Sequence, residues 1–259
     1  MNRLFDDSWV LLQQELDRWV ELGYSASFWW RDDDAISNTD RLGRLDSLSQ
    51  ELNIPVSLAV IPARFDESLT RYLLARDHFT VLQHGFAHKS HARKGVKKIE
   101  IGGERETREI CDELIFGRQK LDHIFGAQFL PVLVPPWNRI EPRVSDALAD
   151  IGFKGLSSMW ARKNTQTVDG LLQVNTHLDP INWHHGRSFI GEHLAVGQIH
   201  QHLYARRTGY RDRAEPTGIL THHLDQNERV WTYCRQLMQA LSQHRAVSWL
   251  AATDIWTLG

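Results

Sequence analysis

Two histidines four residues apart, His84 and His88 in LQHGFAHKSH, and the aspartate run Asp32–Asp34 are the residues best suited to chemistry in this chain. Neutral imidazole nitrogens and a carboxylate oxygen together make a three-point site for Zn²⁺ or a similar divalent ion. Three protein ligands leave positions open for water and substrate, which is the pattern of a catalytic metal. Side chains at i and i+4 share a helix face, so one helical turn could aim both imidazoles at one ion. A cation lowers the pKa of bound water, and a neighbouring aspartate outside the ligand set could take up the proton. The zinc-protease form H-E-x-x-H is absent because Gly85 stands in the glutamate's place, and His91 adds a third imidazole just beyond the pair.

The elements that must position these groups alternate. Trp9, Leu12, Leu16 and Trp19 recur at helical spacing before Gly23 and predict an N-terminal helix over the first twenty or so residues. Strands are expected at 27–31, 56–61, 80–83, 128–134, 155–158, 218–221 and 247–250. Helices are expected at 41–52, 67–76, 103–124, 143–151 and 229–243, with Glu104 and Arg108 paired across one turn. Such alternation argues for parallel βα units, whose reactive residues gather at the carboxyl ends of the strands. Asp32–Asp34, His84, Pro136–Trp137 and His222 each closely follow an expected strand. The fold expected is α/β, a distorted seven-stranded (β/α) barrel forming one domain over 1–259, with the helix of 1–23 packed on it.

With 259 residues and 42% hydrophobic content, the chain can bury a full-sized core. A net charge of −2 gives no electrostatic reason to expect nucleic acid. The basic stretch 89–98 is followed by Glu100, Glu104 and Glu106 and reads as a solvated face. Cys111 and Cys234 alone imply neither a disulfide framework nor a cysteine-rich metal site. No stretch reaches transmembrane length and no secretion signal is evident, so no membrane insertion and a cytoplasmic location are expected. The histidine-rich stretch from His177 to His202 offers ligands for a second metal, but its irregular spacings favour a substrate loop or plain surface.

The order WWRDDDA, QHGFAHKSH, VPPWNR, DPINW, GILTHH resembles the five motifs of the polysaccharide deacetylase family, carbohydrate esterase family 4, and spans Trp29 to His223. The resemblance implies a metal-dependent hydrolase that removes an acetyl group from an N-acetylated sugar or glycoconjugate. Carried over, Asp32 becomes the base and Asp33 a metal ligand, with Asp33/Asp34 as the alternative register; His84 and His88 complete the ligand set. The third motif maps onto Pro136 and Trp137, but Val134 stands where the family has an arginine, a role open to Arg139 or Arg31. The fourth maps onto Asp179, Asn182 (normally an acid) and Trp183. The fifth supplies Leu220 and His222 as the acid, with His223 its neighbour. Pro136, Trp137, Trp183 and Leu220 would line the substrate pocket, and Arg139, Asp179 and Asn182 would support the site. Zn²⁺ is the preferred metal, with Fe²⁺, Co²⁺ and Ni²⁺ suited to the same ligands. The competing readings are a hydrolase of a ureide- or formamide-type amide on the same scaffold and a catalytically silent carbohydrate-binding domain.

Overall fold

The computed structural model describes residues 7–166 and 168–256, so the first six residues of the expected N-terminal helix lie outside the described residues. In chain order the elements are α1 (Asp7–Glu21), β1 (Ala26–Ala35), α2 (Asp40–Leu52), β2 (Val56–Val60), α3 (Glu67–Leu74), β3 (Phe79–His84), α4 (Thr107–Phe125), β4 (Phe129–Val134) and α5 (Pro142–Ser145). There follow β5 (Gly155–Leu156), β6 (Leu172–Gln173), the hairpin β7 (Ile181–Asn182) and β8 (Ser188–Phe189), α6 (Glu192–Thr208), β9 (Thr217–Thr221), α7 (Glu228–Ser242), β10 (Val247–Trp249) and α8 (Ala252–Trp256).

Strands β1 to β6 lie side by side in sequence order and all pair in parallel, while β9 pairs with the far edge of β1. The chain beyond β6 then bonds to β9, with His177 N–H donating to the Gly218 carbonyl (2.7 Å) and Leu220 N–H to that of Leu178 (2.8 Å). This closes a distorted barrel of seven strands, and β10 attaches to the first residues of β1. Strand β2 is buried along its whole length, which is why Val-Ser-Leu-Ala-Val is apolar at every position but Ser57.

Caps set several helix starts. Thr39, Asp66 and Asn227 each accept from a backbone N–H in the first turn of α2, α3 and α7. The N-terminal helix α1 buries Trp9, Leu12, Leu16 and Trp19 as its spacing predicts, and its buried Glu15 is held by Arg207 of α6 at 2.6 and 3.0 Å.

Three expectations change. The helix α6 was missed because its sequence, EHLAVGQIHQHLYARRT, mixes polar and apolar residues without a clean stripe. The helix expected at 143–151 is one turn, Pro142–Ser145, followed by turns. Glu104 precedes α4 and pairs with Arg93, leaving Arg108 4.0 Å from Asp112. No helix among the described residues is long and apolar enough to cross a membrane.

Candidate metal centre and the cavity around it

At the carboxyl end of β1 three consecutive aspartates take three different partners. In a regular strand Asp32 and Asp34 would point the same way. Here the register against β2 shifts between Asp32 and Ala35, and Asp34 adopts φ +71°. Such an irregularity re-aims side chains at a strand end.

Asp32, expected as the base, is completely buried. It accepts from Thr221 Oγ1 (2.6 Å) and His223 N (3.0 Å), and His223 Nδ1 lies 2.5 Å away. Its carboxylate is thus spent on tying β1 to the end of β9, and it has no exposed face. Asp33, expected as a ligand, instead forms a two-pronged ion pair with Arg31, at 2.9 Å from Nε and 3.0 Å from Nη2. The carboxylate that meets the histidines is Asp34. Its Oδ1 lies 3.1 Å from His84 Nε2 and 3.2 Å from His88 Nε2. The geometry therefore matches the alternative register, Asp33/Asp34.

The donor chemistry fits a divalent ion. His84 Nδ1 faces the Val134 carbonyl at 3.0 Å, so that nitrogen carries the proton and Nε2 offers its lone pair to the site. Asp34 Oδ1 is buried, and among the described residues no donor other than the two imidazoles reaches it. Donors about 2.0–2.2 Å from one ion at roughly right or tetrahedral angles stand about 3.0–3.5 Å apart, as each imidazole Nε2 does from Asp34 Oδ1. Burial by itself raises the Asp34 carboxyl pKa. The hydrogen bond to His84 and the charges of His84, His222 and His88 outweigh it, and the net shift is downward. Burial lowers the His84 pKa, but hydrogen bonding to Asp34 and the charges of Asp33 and Asp34 overturn that, and the net is upward. His88 shifts down, from burial and the charge of His84. A negative carboxylate between two imidazoles is the field a cation would complete.

His88 does not sit on a helical turn. The segment after β3 is an irregular loop in which Gly85 (φ +53°) and His88 (φ +54°) both take left-handed conformations. Glu100, buried to 2% exposure, holds this loop by accepting from Phe86 N (3.2 Å), Ala87 N (2.7 Å) and Lys89 N (3.3 Å). Gly85 is required: a Cβ there would stand 2.0 Å from Glu100 Oε2 and 2.6 Å from Pro136 Cγ. Glu100 escapes sequence reasoning because it lies in a charge-rich stretch that looks solvated.

Of the two arginines expected to stand in for the residue replaced by Val134, Arg31 is the one that pairs with Asp33. Fully buried on β1, it binds Asp33, the hydroxyl and carbonyl of Ser157, the Ser158 carbonyl and Asn138 Oδ1 (2.9 Å). Arg139 turns away from Asp33 and donates to the Lys98 carbonyl at 2.8 Å.

The site opens into a cavity of about 670 Å³ walled by Trp137, Trp160 and Trp183, with Asp34, His88, Asp179 and His222 exposed to it. The Trp137 ring lies 4.6 Å from that of His88, and the Trp183 ring meets His222 edge-on at 4.7 Å. Asp179 accepts from Trp183 Nε1 (2.7 Å) and Ile181 N (2.9 Å), and stands 3.9 Å from His222 Nδ1. Burial raises its pKa. Asn182 accepts from His184 N at 3.2 Å and shapes the hairpin. Two expected lining residues are absent from these walls: Leu220 is fully buried in β9, and Pro136 is buried against Gly85. Trp160, with φ +74° and more than half exposed, is a wall that its loop sequence did not signal.

A second buried group, His177, His202 and Glu215, also brings possible ligands together, with imidazole Nε2 atoms 3.7 and 3.9 Å from Glu215 Oε2. Its chemistry differs from the first. His177 Nδ1 accepts the Gly218 N–H (3.0 Å), so Nε2 keeps the proton and has no lone pair to give. The rings are stacked, 3.4 Å apart and 15° from parallel, so their nitrogens run side by side. Burial and nearby arginines push both imidazole pKa values down, toward neutral rings. Glu215 also accepts from Arg162 N and Asn175 N, making the group a polar brace between α6 and the barrel.

Neither the family models nor the curated proteins yield a match to this chain. Solved structures do. A candidate polysaccharide deacetylase from Mycobacterium smegmatis superposes with a TM-score of 0.59 at 13% identity over 90% of each chain. A family 4 acetyl xylan esterase from Clostridium thermocellum, solved with a cobalt ion, gives 0.54 at 15% identity over 90% of this chain and 91% of that one. A family 4 pseudoenzyme mutant with restored activity gives 0.56 at 12% identity over 90% of this chain and 68% of that one. The chain has the fold of polysaccharide deacetylases and family 4 carbohydrate esterases.

Proposed function

We propose that this protein is a metal-dependent hydrolase that removes the acetyl group from an N-acetylated sugar or glycoconjugate. The observation that carries the proposal is the convergence of Asp34 Oδ1, His84 Nε2 and His88 Nε2 at 3.1 and 3.2 Å beneath an aromatic-walled cavity. Those three residues would hold the ion, for which Zn²⁺ is the first choice and Fe²⁺, Co²⁺ and Ni²⁺ suit the same donors. Bound there, it would polarise the acetamide carbonyl and acidify water.

The remaining work falls to the chain. Asp33 is assigned the base: it keeps lone pairs beyond those engaged by Arg31, and its charge reaches both His84 and Asp179. Arg31 fixes the orientation of that carboxylate. His222 is assigned the acid that protonates the departing nitrogen, from Nε2, because Nδ1 lies toward Asp179. Asp179 and Trp183 hold its ring. Trp137, Trp160 and Trp183 offer flat faces for a pyranose ring and exclude water around it. Those tryptophan faces favour a sugar over a linear ureide.

Acetate release from N-acetylglucosamine oligomers, measured on protein loaded with Zn²⁺ or Co²⁺, tests the reading. Asp33→Asn should abolish release while metal stays bound. Sugar binding with no acetate from any metal-loaded form would instead leave the silent-domain reading standing, and ureide turnover without acetate release would favour the linear-amide one.

A further inference from the structure

The two sides of the cavity differ in charge. On the Trp183 side Arg187 is neutralised by Asp225 at 2.5 Å. On the Trp137 side stand Lys98 and Arg139, and among the described residues neither has a carboxylate within ion-pair distance. Both are held in place. Arg139 Nη1 donates to the Lys98 carbonyl at 2.8 Å, which leaves its remaining N–H groups free to point elsewhere, and Lys98 Nζ lies 5.6 Å from the centre of the Trp137 ring. That ring in turn flanks His88 at 4.6 Å, so the cations lie one aromatic ring away from the candidate metal ligands. Lys98 ends the basic stretch 89–98, and the fold brings Arg139 beside it from 41 residues away.

Resting on the deacetylase reading above, we propose that the substrate carries an oxyanionic substituent, a phosphate or carboxylate, that Lys98 and Arg139 bind on the Trp137 side. A guanidinium matches two oxygens of either group and an ammonium adds a point charge, with Trp137 supporting the sugar between them and the metal. A neutral polymer would leave both cations without a partner. The anion would also be drawn to the cavity by the unpaired charge, which makes its capture sensitive to salt.

The test compares methyl N-acetylglucosaminide, N-acetylglucosamine 1-phosphate and N-acetylglucosaminuronic acid as substrates of the Zn²⁺-loaded full chain. At least one anionic sugar should show kcat/KM about tenfold above the neutral one, the scale of a charged hydrogen-bond pair at a partly exposed site. The ratio should fall toward one in Lys98→Ala/Arg139→Ala and at high NaCl, and survive in Lys98→Arg. Which anionic sugar is favoured separates phosphate from carboxylate. Acetate release from all three sugars at equal kcat/KM overturns the anionic proposal and leaves the deacetylase reading intact. If no sugar is hydrolysed, that reading fails. Calorimetric binding to metal-loaded Asp33→Asn then decides this one, with a preference for the anionic sugar that disappears in the double variant supporting it and equal binding overturning it.

Discussion

Glu100→Gln is the perturbation that most directly probes how the candidate metal centre is built. The native carboxylate accepts three backbone N–H groups of the loop that carries His88, two on Oε1 and one on Oε2. The amide keeps one acceptor oxygen and turns the other into an NH₂ donor that must face a backbone N–H. One charged hydrogen bond is lost and a buried donor left unmatched, a cost of about 1.5–3 kcal/mol. The loop that then relaxes carries His88 at φ +54°, a conformation that costs a non-glycine residue roughly 1–3 kcal/mol unless its surroundings enforce it. Groups that orient metal ligands typically change affinity by about 10–100-fold. We therefore expect Zn²⁺ affinity, measured by competition with a chelating dye, to fall by about 10–100-fold while the fold persists. The companion measurement is a thermal melt with and without metal, in which the metal-induced rise in Tm should shrink. Destabilisation of the apo protein with metal affinity within twofold of the native value would refute the positioning role and leave Glu100 an ordinary buried brace.

Gly85→Ala should be among the most damaging single changes, because φ is +53° and the added methyl meets Glu100 Oε2 at 2.0 Å; a thermal melt close to native would contradict the described loop. Asp34→Asn and Asp33→Asn should separate the two registers, with calorimetry showing metal binding lost in the first and retained in the second. Arg31→Met removes the partner of a buried carboxylate and should cost about 3–5 kcal/mol in urea unfolding. Asp46 tests acid stability away from the site. Burial raises its carboxyl pKa, but hydrogen bonds from Tyr72, Gln50, Arg76 and His78 bring the net value below 3.8. A depressed folded pKa contributes stability that is present above the unfolded value and lost as pH falls through the folded one. The Tm gap between native protein and Asp46→Asn should therefore be widest near neutral pH and close below about pH 4, and a gap independent of pH would count against the assigned bonds.

Much of the scaffold was legible because each strand of a barrel buried on both faces must read as a short apolar run, and each covering helix shows a period near 3.6. Strands β1 to β4 and β9 and helices α1 to α4 and α7 follow that rule. Helix α6 broke it, since its buried His202 and Arg206 sit in polar pairs that a hydrophobic pattern does not register.

By itself the sequence determined which residue types could form the site: three aspartates at a strand end, two histidines after another, and a histidine pair after a third. It also fixed that these strand ends fall on one face, because parallel βα units leave all their carboxyl ends together. Only the tertiary structure decided the division of labour. One strand irregularity sends Asp32 to His223, Asp33 to Arg31 and Asp34 to His84 and His88, and neither residue type nor spacing distinguishes these outcomes. The same holds for His222 and His223, identical neighbours of which one faces the cavity and the other a buried carboxylate. Such choices depend on local backbone rotation and on partners up to 191 residues away, so they emerge only once the barrel has closed.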